Sequence, residues 1–119
     1  MMTEDLLVGY VMCPNLDIAR KLARQVIEKG IGASVHLIRG IETYYHWNGE
    51  LCEDQEIILL ASLSQKHWEA FQEQVRKSHP YDHPVVFALP INQCPDSFAQ
   101  WVKERSTGVP YHVTSHKTH

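Results

Sequence analysis

The feature that most constrains this chain is the turn Trp47-Asn48-Gly49-Glu50, set between two long strand-like runs that reach from Ala33 to Leu63. A two-residue hairpin turn of type I′ needs positive φ at both central positions, and Asn-Gly tolerates this well. Residues 33–47 form one arm, which at roughly 3.3 Å per residue is about 50 Å long. A compact chain of 119 residues has a radius of gyration of about 13.5 Å, hence a diameter of about 35 Å. A straight hairpin would therefore overhang its own domain. It must bend, and Gly40 is placed to supply a bulge, or it must lie against a partner chain.

The rest of the chain is ordinary enough to hold that hairpin in a single soluble domain. It is 44% hydrophobic and 21% charged, sufficient for a sizeable core. A net charge of −3 argues against a nucleic-acid partner. No apolar run approaches the roughly 20 residues that span a bilayer, so no membrane association is expected. The start, Met1-Met2-Thr3-Glu4-Asp5, is acidic where a secretory signal is basic. Cys13, Cys52 and Cys94 are odd in number and widely spaced, which indicates neither a disulfide framework nor a zinc cluster. Reduced thiols in the cytoplasm are the expectation.

Leu6 to Met12 is a short apolar run and reads as a buried strand, broken by Cys13-Pro14-Asn15. Asn15 then caps a helix whose apolar residues Ile18, Ala19, Leu22, Ala23, Val26 and Ile27 recur at helical spacing until Gly30. On the return arm of the hairpin, Ile57 to Ala61 is continuously apolar, as in a strand covered on both faces at the centre of a sheet. Ser64 is positioned to cap a second helix bearing Trp68, Phe71 and Val75. A strand over Val85 to Leu89 follows, then a short helix with Pro95 near its start and Phe98, Trp101 and Val102 facing inward. The tail 106–119 reads as loose, with a short extra strand over Val109 to Val113. The order strand, helix, strand, strand, helix, strand predicts an α+β, ferredoxin-like sandwich at 1–105 with one helical appendage. Its helices cover one sheet face, and the other face must find cover elsewhere.

The run Gly40-Ile41-Glu42-Thr43-Tyr44-Tyr45-His46-Trp47-Asn48-Gly49-Glu50 resembles a glycine, aromatic pair, tryptophan and turn glycine that occur in this order in the CutA divalent-cation tolerance proteins. His79-Pro80-Tyr81, Pro84, Pro90-Ile91 and Trp101 extend the resemblance, which covers roughly Leu6 to Val102. It implies a tight homotrimer built through extended hairpins and a link to copper and other divalent cations. It also implies a metal set in which a cysteine near the end of the first strand joins the histidine of His-Pro-Tyr and a nearby acid. The chain departs from that pattern at several polar positions. Val11 stands at the cysteine position, with Cys13 two residues on; Ser34 replaces a cysteine, Ser62 a lysine, and Val85 the acid.

Residue chemistry supplies readings beside the resemblance. His79, Asp82 and His83 offer imidazole and carboxylate donors that suit copper or zinc, and the resemblance adds Cys13 as a displaced ligand whose sulfur would favour copper. The prolines at 80 and 84 make a rigid turn the favoured reading of this segment, and a buried structural thiol is the favoured reading of Cys13. No lysine or arginine occurs from Gly40 to Gln65, which contains Glu42, Glu50, Glu53, Asp54 and Glu56. This is a cation-attracting rim, or the negative half of a subunit contact. Tyr44, Tyr45 and Trp47 read as trimer-interface aromatics. His112, His116 and His119 offer a weak metal-collecting tail. No phosphate loop, nucleophile elbow or helical His pair with glutamate occurs, so the expectation is a non-enzyme. No cofactor is required, and the expected ligand is a divalent cation. The alternative is a trimeric signalling or interaction module like the PII regulators, holding a small molecule between subunits; an acidic hairpin disfavours phosphate ligands there. A weaker third option is a purely structural trimer.

Overall fold

A computed structural model of the chain describes residues 5–110. The elements are β1 (Leu6–Cys13), α1 (Leu16–Glu28), β2 (Gly32–Trp47), β3 (Glu50–Ser64), a 3₁₀ turn (Gln65–His67), α2 (Trp68–Ser78), β4 (Val86–Pro90) and α3 (Asp96–Arg105). The strands form one antiparallel sheet in the order β2-β3-β1-β4, the ferredoxin-like arrangement. The continuously apolar β3 is central, as its sequence requires.

Local chemistry sets the boundaries. The Asn15 side chain accepts a hydrogen bond from the Ile18 amide at 3.0 Å and starts α1. Gly30, at φ +68, ends that helix and turns the chain into β2. At the hairpin tip, Asn48 and Gly49 have φ of 50° and 78°, the positive pair that a type I′ turn demands. Ile38 pairs with Ile58 and Ile41 with Glu56, so Arg39 and Gly40 together face Ile57 alone. Gly40 adopts φ +71 in that bulge, a conformation costly for residues with a Cβ. The hairpin bends there and still overhangs. The molecule measures 47 × 32 × 26 Å with a radius of gyration of 15.2 Å, above the value of about 13.5 Å for a compact chain of this length.

One sheet face carries the main core. Val11, Cys13, Ile57, Leu59, Ala61 and Leu63 pack beneath Ala19, Leu22 and Val26 of α1 and Phe71 and Val75 of α2. Gly9 lets the Phe71 ring touch the strand, since a Cβ there would lie 2.8 Å from the ring. Leu6 points to the opposite face and is buried with Ala99 and Val102 of α3. α3 therefore covers that face only at its Leu6 end. The remainder carries Tyr10, Met12, Ile38, Ile58, Leu60, Phe87 and Leu89, which the strand pairing places on one side. Tyr10 and Phe87 stack there at 4.3 Å, and Ile38, Phe87 and Leu89 remain 43%, 41% and 55% exposed. Within one chain, β3 is thus covered on one face and half-covered on the other.

Three expectations require correction. Ser64 does not cap α2 with its side chain: it ends β3, and a 3₁₀ turn intervenes before the helix. Phe98 and Trp101 are not turned inward with Val102. They stack on each other at 6.3 Å and are over a third exposed, because the small Ala99 occupies the inward position. The chain beyond α3 is not loose at its start, since Ser106 is buried and hydrogen-bonded. The proposed strand over Val109 to Val113 and the histidines of the tail lie partly or wholly outside the described residues.

Nothing lies within 4 Å of a Cβ built on Gly40, so Gly40→Ala tests backbone conformation without a packing change. Urea denaturation should show a loss of about 1 kcal/mol, the cost of a Cβ in the left-handed region. An unchanged midpoint would mean that the bulge relaxes without strain.

Candidate functional site

The His-Pro-Tyr segment begins where α2 stops. His79 is the C-cap of α2, and its amide donates to the Val75 carbonyl at 2.8 Å. Its side chain is buried and turns towards the end of β1, where Nε2 lies 2.7 Å from the Met12 carbonyl. A carbonyl only accepts, so Nε2 carries the proton. Nδ1 must then be the lone-pair nitrogen, and it receives the Tyr81 amide at 3.3 Å. Both ring nitrogens are occupied by backbone, in one neutral tautomer. The Tyr81 ring leans on the imidazole at 5.0 Å, and the Met12 amide donates to the Val85 carbonyl at 3.1 Å. The segment is therefore a rigid strut between α2, β1 and β4.

Cys13 sits beside this strut but faces the core. It pairs with Ile57 and is fully buried. Burial, and secondarily the Glu56 carboxylate, push its thiol up to about 11. At neutral pH it is an apolar filler and not a thiolate ligand. Val11, two residues earlier, is buried on the same face. Asp82 and His83 are exposed and line an open groove of about 570 Å³ with Glu69, Glu73 and Arg76. Arg76 pairs with Glu73 across one helical turn and lowers that carboxyl's pKa. Among the described residues, no three His, Cys, Asp or Glu side chains gather as a metal-holding group. His79, Asp82, His83 and Cys13 thus lie in one region of the molecule without converging on a point.

The hairpin carries a second acidic feature. Tyr44 donates to Glu42 at 3.0 Å and Tyr45 to Asp54 at 2.6 Å. The Asp54 carboxylate, first by that hydrogen bond, pushes the Tyr45 phenol up to about 12. Glu42, Tyr44, Glu53, Asp54 and Gln55 line a cleft of about 180 Å³. Trp47, 65% exposed, and Leu51, 75% exposed, stand uncovered near the tip. Sequence reasoning found the acidic rim and the aromatics. It missed the link from each tyrosine to a carboxylate of its own hairpin, Tyr44 along β2 and Tyr45 across to β3. The Glu69–Glu73 pair escaped notice, though its four-residue spacing on α2 was a usable signal.

The match to the model of the CutA1 divalent ion tolerance proteins runs over residues 7–105. The chain belongs to this family. It is 31% identical over 99 residues to the divalent-cation tolerance protein CutA of Thermus thermophilus, covering 83% of this chain and 96% of that one. It is 35% identical over 106 residues to human Protein CutA, covering 89% of this chain. The chain spans only 59% of the human protein and 56% of the chloroplastic Arabidopsis thaliana CutA. Among solved structures, CutA1 from Oryza sativa superposes with a TM-score of 0.83 at 33% identity, over 87% of this chain and 94% of that one. Two of the polar positions singled out in the sequence meet directly. Ser34 and Ser62 face each other across β2 and β3, with hydroxyl oxygens 2.7 Å apart.

The burial of Cys13 predicts a graded thiol reactivity. With its pKa near 11, only about one Cys13 in a thousand is thiolate at pH 8. Native protein should therefore label at the half-buried Cys52 and Cys94 and spare Cys13 until denaturant is added. Peptide mass mapping after iodoacetamide treatment checks this, and rapid native labelling of Cys13 would contradict the packing.

Proposed function

We propose that this chain is a homotrimeric, non-enzymatic protein that binds divalent cations and serves cation tolerance. Membership of the CutA1 family over residues 7–105 carries this reading. The assembly has physical support in the incompletely covered apolar sheet face and the overhanging hairpin. Closing copies against one another would remove Ile38, Phe87 and Leu89 from water, at roughly 25 cal/mol per Å² of apolar surface. Tyr44, Tyr45 and Trp47 would then serve at the subunit contact. The cytoplasm stays our proposed compartment, in keeping with three unpaired cysteines. No helix among the described residues is long and apolar enough to cross a membrane.

For the cation we propose copper or zinc held by the His79–His83 segment. Asp82 and His83 are the accessible donors. His79 would join through Nδ1 only by surrendering the Tyr81 amide, and Cys13 only after the core opens and the thiol ionises. Cys13 is thus the last of the four to contribute. The carboxylates lining the hairpin cleft favour cations over the phosphate ligands that a PII-like reading would require.

Light scattering should give about three times the chain mass of 13.7 kDa; a monomer would remove the assembly reading. Calorimetry with Cu²⁺ and Zn²⁺ addresses the site separately. His79→Ala combined with His83→Ala should weaken binding by about tenfold or more. Undiminished binding would exclude the segment and leave the acidic hairpin as the place to look.

A further inference from the structure

Past α3 the chain doubles back over the root of the hairpin. The Ser106 hydroxyl donates to the Ile31 carbonyl at 2.6 Å and accepts from the Ser64 amide at 3.1 Å. Ile31 immediately precedes β2, and Ser64 is the last residue of β3. One buried hydroxyl therefore joins the two roots of the hairpin. The Ser106 carbonyl accepts a hydrogen bond from His67 Nε2 at 3.0 Å. Two residues on, the Gly108 amide donates to the Gly30 carbonyl at 2.7 Å. The fit is close. A Cβ on Gly108 would lie 2.9 Å from the His67 ring, and one on Gly30 would lie 2.4 Å from the Val109 carbonyl.

We propose that residues 106–108 form a clasp on the hairpin root and that protonation of His67 loosens it. The neutral ring keeps its proton on Nε2 for the Ser106 carbonyl, leaving Nδ1 on the ring that Gly108 packs against. A second proton would place a charge in this half-buried contact. Among the described residues no carboxylate forms an ion pair with His67. The charge acting on it is the like charge of Lys66, from its own turn, while 106–108 presents backbone and hydroxyl groups. Burial first, and Lys66 second, lower the pKa of His67 from 6.5. The unfolded chain therefore takes up this proton more readily than the native one. The clasp is at full strength above about pH 6.5 and weakens as pH falls below it, until the native pKa is passed.

Hydrogen exchange of the Gly108 and Ser64 amides, corrected for the intrinsic rate, reads the clasp directly. Protection should stay nearly level from about pH 7.5 to pH 6.5 and then fall by up to about tenfold by pH 5.5, the limit for one linked proton. His67→Gln, which keeps a side-chain donor but cannot charge, should abolish this dependence. Ser106→Ala should lower protection of both amides at either pH. Unchanged protection in the wild type, or the same pH dependence in His67→Gln, would overturn the proposal. Should that variant not fold, the ring Cε1 resonance of His67 in the wild type decides. A midpoint below 6.5 supports the clasp, and one at or above 6.5 overturns it.

Discussion

The pairing of β3 on both sides is the constraint on which the rest depends. Its inner half, Ile57 to Ser64, is the partner of β1 along that strand's whole length, while its outer half pairs only with β2 and projects beyond the domain. The same strand is thus the centre of the core and the base of an overhanging arm. The bulge at Gly40 lies at the join, where Ile57 faces both Arg39 and Gly40. On the inner side, alternate residues bury Leu59, Ala61 and Leu63 under the helices. On the outer side, within a single chain, side chains meet each other and solvent, and Tyr45 turns to Asp54 for a hydrogen bond.

The candidate cation segment obeys a different economy, in which backbone groups consume the donors first. His79 is held by Met12 on one nitrogen and by Tyr81 on the other. This makes it a brace before it is a ligand, since releasing a buried hydrogen bond costs about 1–3 kcal/mol when a partner is left unmade. The adjacent Asp82 and His83 carry no such duty and face the groove beside α2. The division explains how one short stretch supports two readings. Its buried end serves the fold, and its exposed end has donors to offer.

Much of the architecture was legible because its signals are local. Asn15 before an amphipathic run, Asn48-Gly49 between strands, and a continuous Ile57-to-Ala61 run each specify a conformation through short-range sterics or hydrogen bonding. The errors fell where a residue's fate depends on distant partners. Ser64 looked like a cap, yet pairing with Leu6 holds it in β3, a 3₁₀ turn short of α2. Phe98 and Trp101 looked like core, yet α3 sits on its small residue, Ala99. For Cys13 the sequence favoured a structural thiol over a ligand, and the packing puts it under the helices.

By itself the sequence determined the order and type of the elements, the I′ turn, the length of the hairpin and its freedom from basic residues. These follow from backbone sterics, hydrophobic periodicity and composition, none of which needs a partner. Only the tertiary structure decided which nitrogen of His79 holds its proton, that Cys13 is shielded from solvent, and that α3 covers one end of the open sheet face. Those outcomes turn on which groups meet across the chain, where burial and a single hydrogen bond change what a side chain is able to do.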